Sequence, residues 1–93
     1  MAVKVKIPTP LRNLTQDQDT VDTDPGDLTS VVAALEGQFP GMRERLLDEG
    51  GEIRRFVNIY VNGEDVRFLQ GLTTGLKDGD EVSIVPAVAG GAR

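Results

Sequence analysis

The sequence contains no cysteine, no histidine and no tryptophan. Without cysteine there is no disulfide framework, the usual staple of small secreted domains. Without cysteine or histidine, soft-ligand sites for zinc, iron and copper are excluded, and no bound metal is expected. A thiol nucleophile and the commonest general base are excluded with them. Long apolar runs are missing as well. Nothing approaches the ~20 residues needed to span a bilayer, and Met1-Ala2-Val3-Lys4 lacks the apolar stretch of a secretory signal. These absences predict a soluble, cytoplasmic chain that is a partner or substrate for chemistry done elsewhere, not an enzyme, and no catalytic residue is assigned.

Positive charge is scarce too. Lys and Arg total 10 against 15 Asp and Glu, a net charge of −5. A surface of that sign repels nucleic acid and anionic membranes, so neither is an expected partner. The basic pairs Lys4/Lys6 and Arg54/Arg55 are both diluted by acids. At 93 residues the chain has the length of one domain. With 39% hydrophobic and 27% charged residues its composition is globular rather than disordered.

Residues 2–7 alternate apolar and charged, with Val3, Val5 and Ile7 in phase. Period two predicts a strand with one buried face, ended by Pro8 and Pro10. A short second strand is expected near Thr20–Asp22, making a long hairpin. Asp27 is a good N-cap for the helix expected after it. Leu28, Val31, Val32, Leu35 and Phe39 recur at helical spacing, and Pro40-Gly41 stops the helix. A second helical segment is predicted over 42–48, with a loop at 48–51. Residues 53–62 read as the strongest strand and are placed at the centre of the sheet. Val57, Ile59 and Val61 take one face; Phe56, Asn58, Tyr60 and Asn62 take the other. Asn62-Gly63 signals a tight turn, with a short strand after it around Val66–Phe68. A loop or single helical turn is expected over 71–76, a turn over 77–80, and a last strand over Glu81–Pro86.

The Asp-rich stretch at 17–27 offers the oxygen ligands that calcium prefers. The EF-hand spacing is not met, however: the required glycine and glutamate are not in place. A solvated acidic loop is the reading adopted. The order strand, strand, helix, strand, short strand, strand predicts an α+β domain. A mixed four- to five-stranded sheet carries one main helix on one face, the ubiquitin-like β-grasp. The domain is assigned to residues 1–86, with a flexible arm at 87–93.

The segments RFVNIYVNGEDVRF (55–68) and KDGDEVSIVPAVAGG (77–91), with FPGMRERL (39–46), resemble the MoaD/ThiS-type sulfur carrier proteins. The resemblance is closest to the CysO-like branch and covers essentially the whole chain. A Gly-Gly pair alone is weak evidence; one placed a few residues beyond a DGDEV turn and a last strand is far more specific.

The resemblance implies a chemical cycle on the C-terminus. A ubiquitin-activating-type adenylating enzyme uses ATP to convert the terminal glycine carboxylate to an acyl-adenylate. Sulfide or a persulfide then displaces AMP to leave a thiocarboxylate. An acceptor takes the sulfur: in the CysO-like branch, an activated serine on a cysteine synthase, with a metalloprotease releasing the cysteine; in relatives, a molybdopterin or thiazole precursor. The carrier itself holds no cofactor and is a monomer when free. Gly91 would bear the adenylate and thiocarboxylate, and Gly90, Ala89 and Val88 would form the arm that threads the partner's site. Glycine suits such a channel because it lacks a Cβ. Ala92-Arg93 stand after Gly91, so the cycle implies cleavage between Gly91 and Ala92, assigned to a trimming metalloprotease. A loss of carrier function is the other reading of that extension.

Phe56, Asn58, Tyr60 and Val85 are assigned to a partner-docking face beside Lys4, Lys6 and Ser83, since exposed aromatics on a sheet suit an interface. Arg54, Arg55 and Arg67 either guide acidic partner surfaces or form a solvated strand edge. Two alternatives remain beside the carrier reading. One is the small subunit of molybdopterin synthase; the other is a ubiquitin-like modifier or interaction module without sulfur transfer.

Overall fold

In a computed structural model, residues 2–86 are described. Val88, Ala89, Gly90, Gly91 and Ala92 therefore lie outside the described residues, as does the rest of the expected arm at 87–93. Strand β1 (Val3–Lys6) buries Val3 and Val5 and exposes Lys4 and Lys6, as its alternation dictates. A connection through a short 3-10 turn at Thr9–Leu11 buries Leu11. The chain returns antiparallel as β2 (Thr20–Thr23), with Val5 opposite Val21. In the connection, the buried Thr15 hydroxyl donates to the Gln18 carbonyl at 2.8 Å.

The two-residue strand β3 (Gly26–Asp27) leads directly into α1 (Leu28–Gln38). Asp27 caps α1, accepting the Ser30 amide hydrogen at 2.8 Å. The Ser30 amide and hydroxyl hold the Asp27 carboxyl below the ordinary carboxylate value. Leu28, Val31, Val32 and Leu35 are buried along the helix, and Phe39 is buried just beyond it. Helix α2 (Met42–Leu46) begins after the left-handed Gly41, whose φ of 100° only glycine adopts cheaply. It stops at Leu46, short of the expected 48, because Leu47 turns extended to bridge Ile53.

Strand β4 spans Val57–Val61, not 53–62. Residues Arg54–Val57 form a turn instead, closed by the Val57 amide donating to the Arg54 carbonyl at 2.9 Å. After the Asn62-Gly63 turn comes β5 (Glu64–Asp65). Val66–Phe68, expected as a strand, is a 3-10 turn. The Asp65 carboxylate caps it by accepting the Arg67 amide hydrogen at 2.8 Å, which curls the chain away from the ladder. A further 3-10 turn at Gly71–Thr73 precedes β6 (Gly75–Leu76), which pairs with β3. The last strand, β7, runs Glu81–Pro86.

Among the described residues the main sheet has the order β2-β1-β7-β4-β5. Strand β7 lies parallel to β1 and antiparallel to β4. The centre of the sheet is thus β7, not β4. One sheet face buries Val3, Val5, Val57, Ile59, Val61, Val82 and Ile84 with the apolar stripe of α1. This is the expected α+β, ubiquitin-like β-grasp arrangement: a five-stranded mixed sheet crossed on one face by one main helix.

Candidate functional site

Strand β7 is the element that hands the chain on to residues 87–93, so its fixation and surroundings define the candidate site. Its entry is held from two sides. The Asn62 side chain accepts the Glu81 amide hydrogen at 3.0 Å and donates to the Asp80 carboxylate at 3.1 Å. The other Asp80 oxygen accepts the Lys77 amide hydrogen at 2.9 Å. That backbone amide, helped by the Asn62 amide group, holds the Asp80 carboxyl below the ordinary carboxylate value. From the other side, Lys4 donates its backbone N–H to the Asp80 carbonyl at 3.0 Å.

The sheet face away from α1 is open, and the registers set its rows. Lys6, Ser83, Tyr60 and Asp65 lie side by side across β1, β7, β4 and β5. Lys4 lies beside Glu81, and Val85 beside Asn58. Lys6 and Glu81 pair across the strands at 3.5 Å, exposed on both sides and worth little in stability. Val85 is 46% exposed. The expected juxtaposition of Asn58, Tyr60 and Val85 with Lys4, Lys6 and Ser83 is therefore present.

Phe56 stands apart from these rows. It belongs to the Arg54–Val57 turn and lines an open groove of about 480 Å³ at the exit end of β7. Pro10, Leu11, Val57 and Pro86 share the groove's apolar lining, and Arg45, Arg54 and Glu44 are its charged lining residues. The grouping is a result of topology. β1 and β7 run the same way, so the turn after β1 ends up beside the exit of β7. β4 runs opposite, so the turn before β4 completes the wall. Arg54 is anchored there by its Nε donating to the Glu44 carbonyl at 2.7 Å.

Arg67 is occupied structurally. Its guanidinium donates to Asn58 Oδ1 and to the carbonyls of Arg54 and Val57, all within 2.9 Å. Of the three arginines considered for guiding partners, Arg67 is thus committed to the fold, while Arg54 faces the groove. Sequence reading missed the groove, because its walls are distant in the chain. It also missed Phe68, a large apolar side chain 87% exposed. Exposure of that size with a helical turn rather than a strand beneath it had no periodic signal.

Among the described residues, no group of three acidic side chains is arranged to hold a metal ion. No helix among them is long and apolar enough to cross a membrane.

Known proteins share this geometry. The ThiS family matches residues 5–91, so the match stops on Gly91. The sulfur carrier protein CysO of Mycobacterium tuberculosis is 52% identical over 93 residues, covering 98% of this chain and all of that one. A putative sulfur carrier protein of Archaeoglobus fulgidus is 42% identical over 92 residues, covering 98% of this chain and all of that one. Among solved structures, the BexX/CysO complex of Amycolatopsis orientalis contains a chain that superposes with a TM-score of 0.90 at 41% identity. That superposition covers 94% of this chain and 97% of the other. By sequence and by fold, the chain belongs to the ThiS family.

Proposed function

We propose that the chain is a sulfur carrier rather than an enzyme, and that Gly91 is the sulfur-bearing end once the residues after it are removed. The observation that carries this reading is the family match, which runs through the central strand and stops on Gly91. Relatives named as sulfur carriers match over their full length, which supports the same role.

A glycine carboxylate is a poor acyl donor until one oxygen becomes a good leaving group. Attack of the carboxylate on the α-phosphate of ATP releases pyrophosphate and gives the acyl-adenylate. Sulfide then adds to the acyl carbon, AMP leaves, and a thiocarboxylate remains on Gly91. The thiocarboxylate sulfur then attacks an electrophilic carbon of the acceptor and expels that carbon's leaving group. Hydrolysis at the acyl carbon frees the sulfur-bearing product and restores the Gly91 carboxylate. Cysteine formation is the acceptor chemistry proposed, in line with the branch the chain resembles. The body of the protein presents β7 and the surfaces at its exit. The adenylating enzyme brings ATP and the reaction, and the cycle is assigned to the cytoplasm. A trimming peptidase exposes Gly91 by cleaving before Ala92. The solved BexX/CysO complex supports recognition by a folded partner protein.

Intact mass spectrometry tests the reading. The full chain and a form ending at Gly91 are each incubated with ATP, sulfide and the organism's adenylating enzyme. The expected result is a mass gain equal to exchange of one oxygen for sulfur, on the Gly91 form alone. A gain on neither form, or isopeptide adducts on other proteins without thiocarboxylate, would overturn it in favour of a modifier or a plain binding module.

A further inference from the structure

The groove at the exit of β7 is unoccupied by any described side chain, and two features of it point to an occupant. Its floor is apolar: Leu11, Phe56, Val57 and Pro86 line it, and Phe56 is left 40% exposed. Its charged lining is two arginines, Arg45 and Arg54, against one acid, Glu44, so it is net cationic on a protein whose net charge is −5. Among the described residues Lys6–Glu81 is the one ion pair within 4.0 Å, so neither rim guanidinium has a carboxylate at that distance. An arginine pair over an apolar floor recognises a segment that offers an apolar side chain and a carboxylate together.

The chain's own residues from Ala87 to Gly91 supply one branched apolar side chain, Val88, and no acidic one. Fixing their backbone costs several times what burying one valine returns. A segment already held in a folded partner escapes that cost. The groove is continuous with Pro86, the last described residue of β7. Whatever fills it therefore stands where the chain leaves the sheet.

We propose that this groove is the docking site for an apolar, carboxylate-bearing segment of the enzyme that modifies the C-terminus, with Phe56 as the apolar anchor and Arg45 and Arg54 as the charge readers. The proposal rests on the carrier reading above and names which surface of the carrier that enzyme engages. The rim also provides selectivity. A partner with a basic segment at this point meets two like charges and is rejected.

The test uses the chain ending at Gly91, isotopically labelled and titrated with the organism's purified adenylating enzyme. Line broadening is expected to concentrate on Leu11, Phe56 and Val57. Arg45→Glu and Phe56→Ser should each weaken binding by about tenfold or more, as removal of an interface charge or anchor does. Lys4→Glu on the open sheet face should stay within about twofold. Arg45 is exposed and makes no side-chain hydrogen bond among the described residues, and the urea midpoint of Arg45→Glu checks that the fold is kept. Binding within about twofold of the parent for Arg45→Glu and Arg54→Glu would overturn the proposal. So would broadening confined to Tyr60 and Ser83, or groove resonances that shift in enzyme-free samples when the chain is cut after Pro86. Adenylate is measured by mass in the same samples. Groove-mapped binding without adenylate sinks the carrier reading alone, adenylate with unaffected Arg45→Glu sinks the docking site alone, and no binding sinks both.

Discussion

Arg67 holds Asn58 from outside the strand ladder. Its Nη1 donates to Asn58 Oδ1 at 2.8 Å, while its Nη2 donates to the carbonyls of Arg54 and Val57, each at 2.9 Å. One guanidinium thus fixes both the start of β4 and the turn that carries Phe56 into the groove.

Replacing Arg67 with alanine leaves the partly buried Val57 carbonyl without that donor, and losing such a charge-assisted bond costs about 1–3 kcal/mol. Arg67→Lys should recover little of this, because an ammonium cannot span three acceptors as a planar fork does. Urea denaturation of the two variants checks it. A lysine variant as stable as the parent would show that charge alone, not the fork, is used.

Asp80 makes stability depend on pH in a definite direction. Its folded carboxyl is held below the ordinary value of 3.8 by the Lys77 amide and the Asn62 side chain. The unfolded chain therefore binds this proton more readily than the folded one, and stability rises with pH. The contribution is fully present above pH 3.8 and is lost as pH falls through the lower folded value. Asp27 acts in the same sense through the Ser30 amide. Asp80→Asn should lower the urea midpoint at pH 7, and the gap from the parent should close as pH falls below 3.8 and through the lower folded value. A gap that stays constant with pH would mean the role is steric.

Glu36 reaches from α1 to the start of α2. Its carboxylate accepts the Gly41 amide hydrogen at 3.2 Å and the Arg43 amide hydrogen at 2.9 Å. Removing such a cap costs about 0.5–2 kcal/mol. Because α2 carries Arg45 to the groove rim, Glu36→Ala should also broaden or shift the Arg45 and Phe56 resonances. Loss of stability without any change at those resonances would show that α2 is positioned by Met42 and Leu46 alone.

Phe68 makes a contrasting case. It is 87% exposed, so Phe68→Ser should change folding stability by less than about 0.5 kcal/mol, the range for surface substitutions. A larger loss, read from thermal or urea unfolding, would place the ring against the fold.

The elements with a clean period were legible from the sequence. The Val3-Lys4-Val5-Lys6 alternation gives β1, and the spacing of Leu28, Val31, Val32 and Leu35 gives α1 with Asp27 as its cap. The open-face neighbours Asn58, Tyr60 and Val85 were legible too, because strand registers preserve the alternation of faces. The features that escaped depended on side chains returning to the backbone. Ile53–Phe56 has the residue types of a strand, yet Arg67 and a closing hydrogen bond make Arg54–Val57 a turn. Val66–Phe68 is apolar enough for a ladder, yet Asp65 captures the Arg67 amide and coils the segment. The groove was invisible for a different reason. Leu11, Arg45, Phe56 and Pro86 become neighbours only through the parallel return of β7 beside β1.

The middle position of β7 has a mechanical meaning. A pull on the C-terminus acts along that strand, while its ladders to β1 and β4 run across it on both sides. The load is shared among all those bonds in shear, instead of opening them singly as it would at an edge. Asn62 and Asp80 brace the far end, where the strand begins. A load applied along β7 is therefore borne by the whole sheet, and the body of the domain resists a pull that would peel away an edge strand.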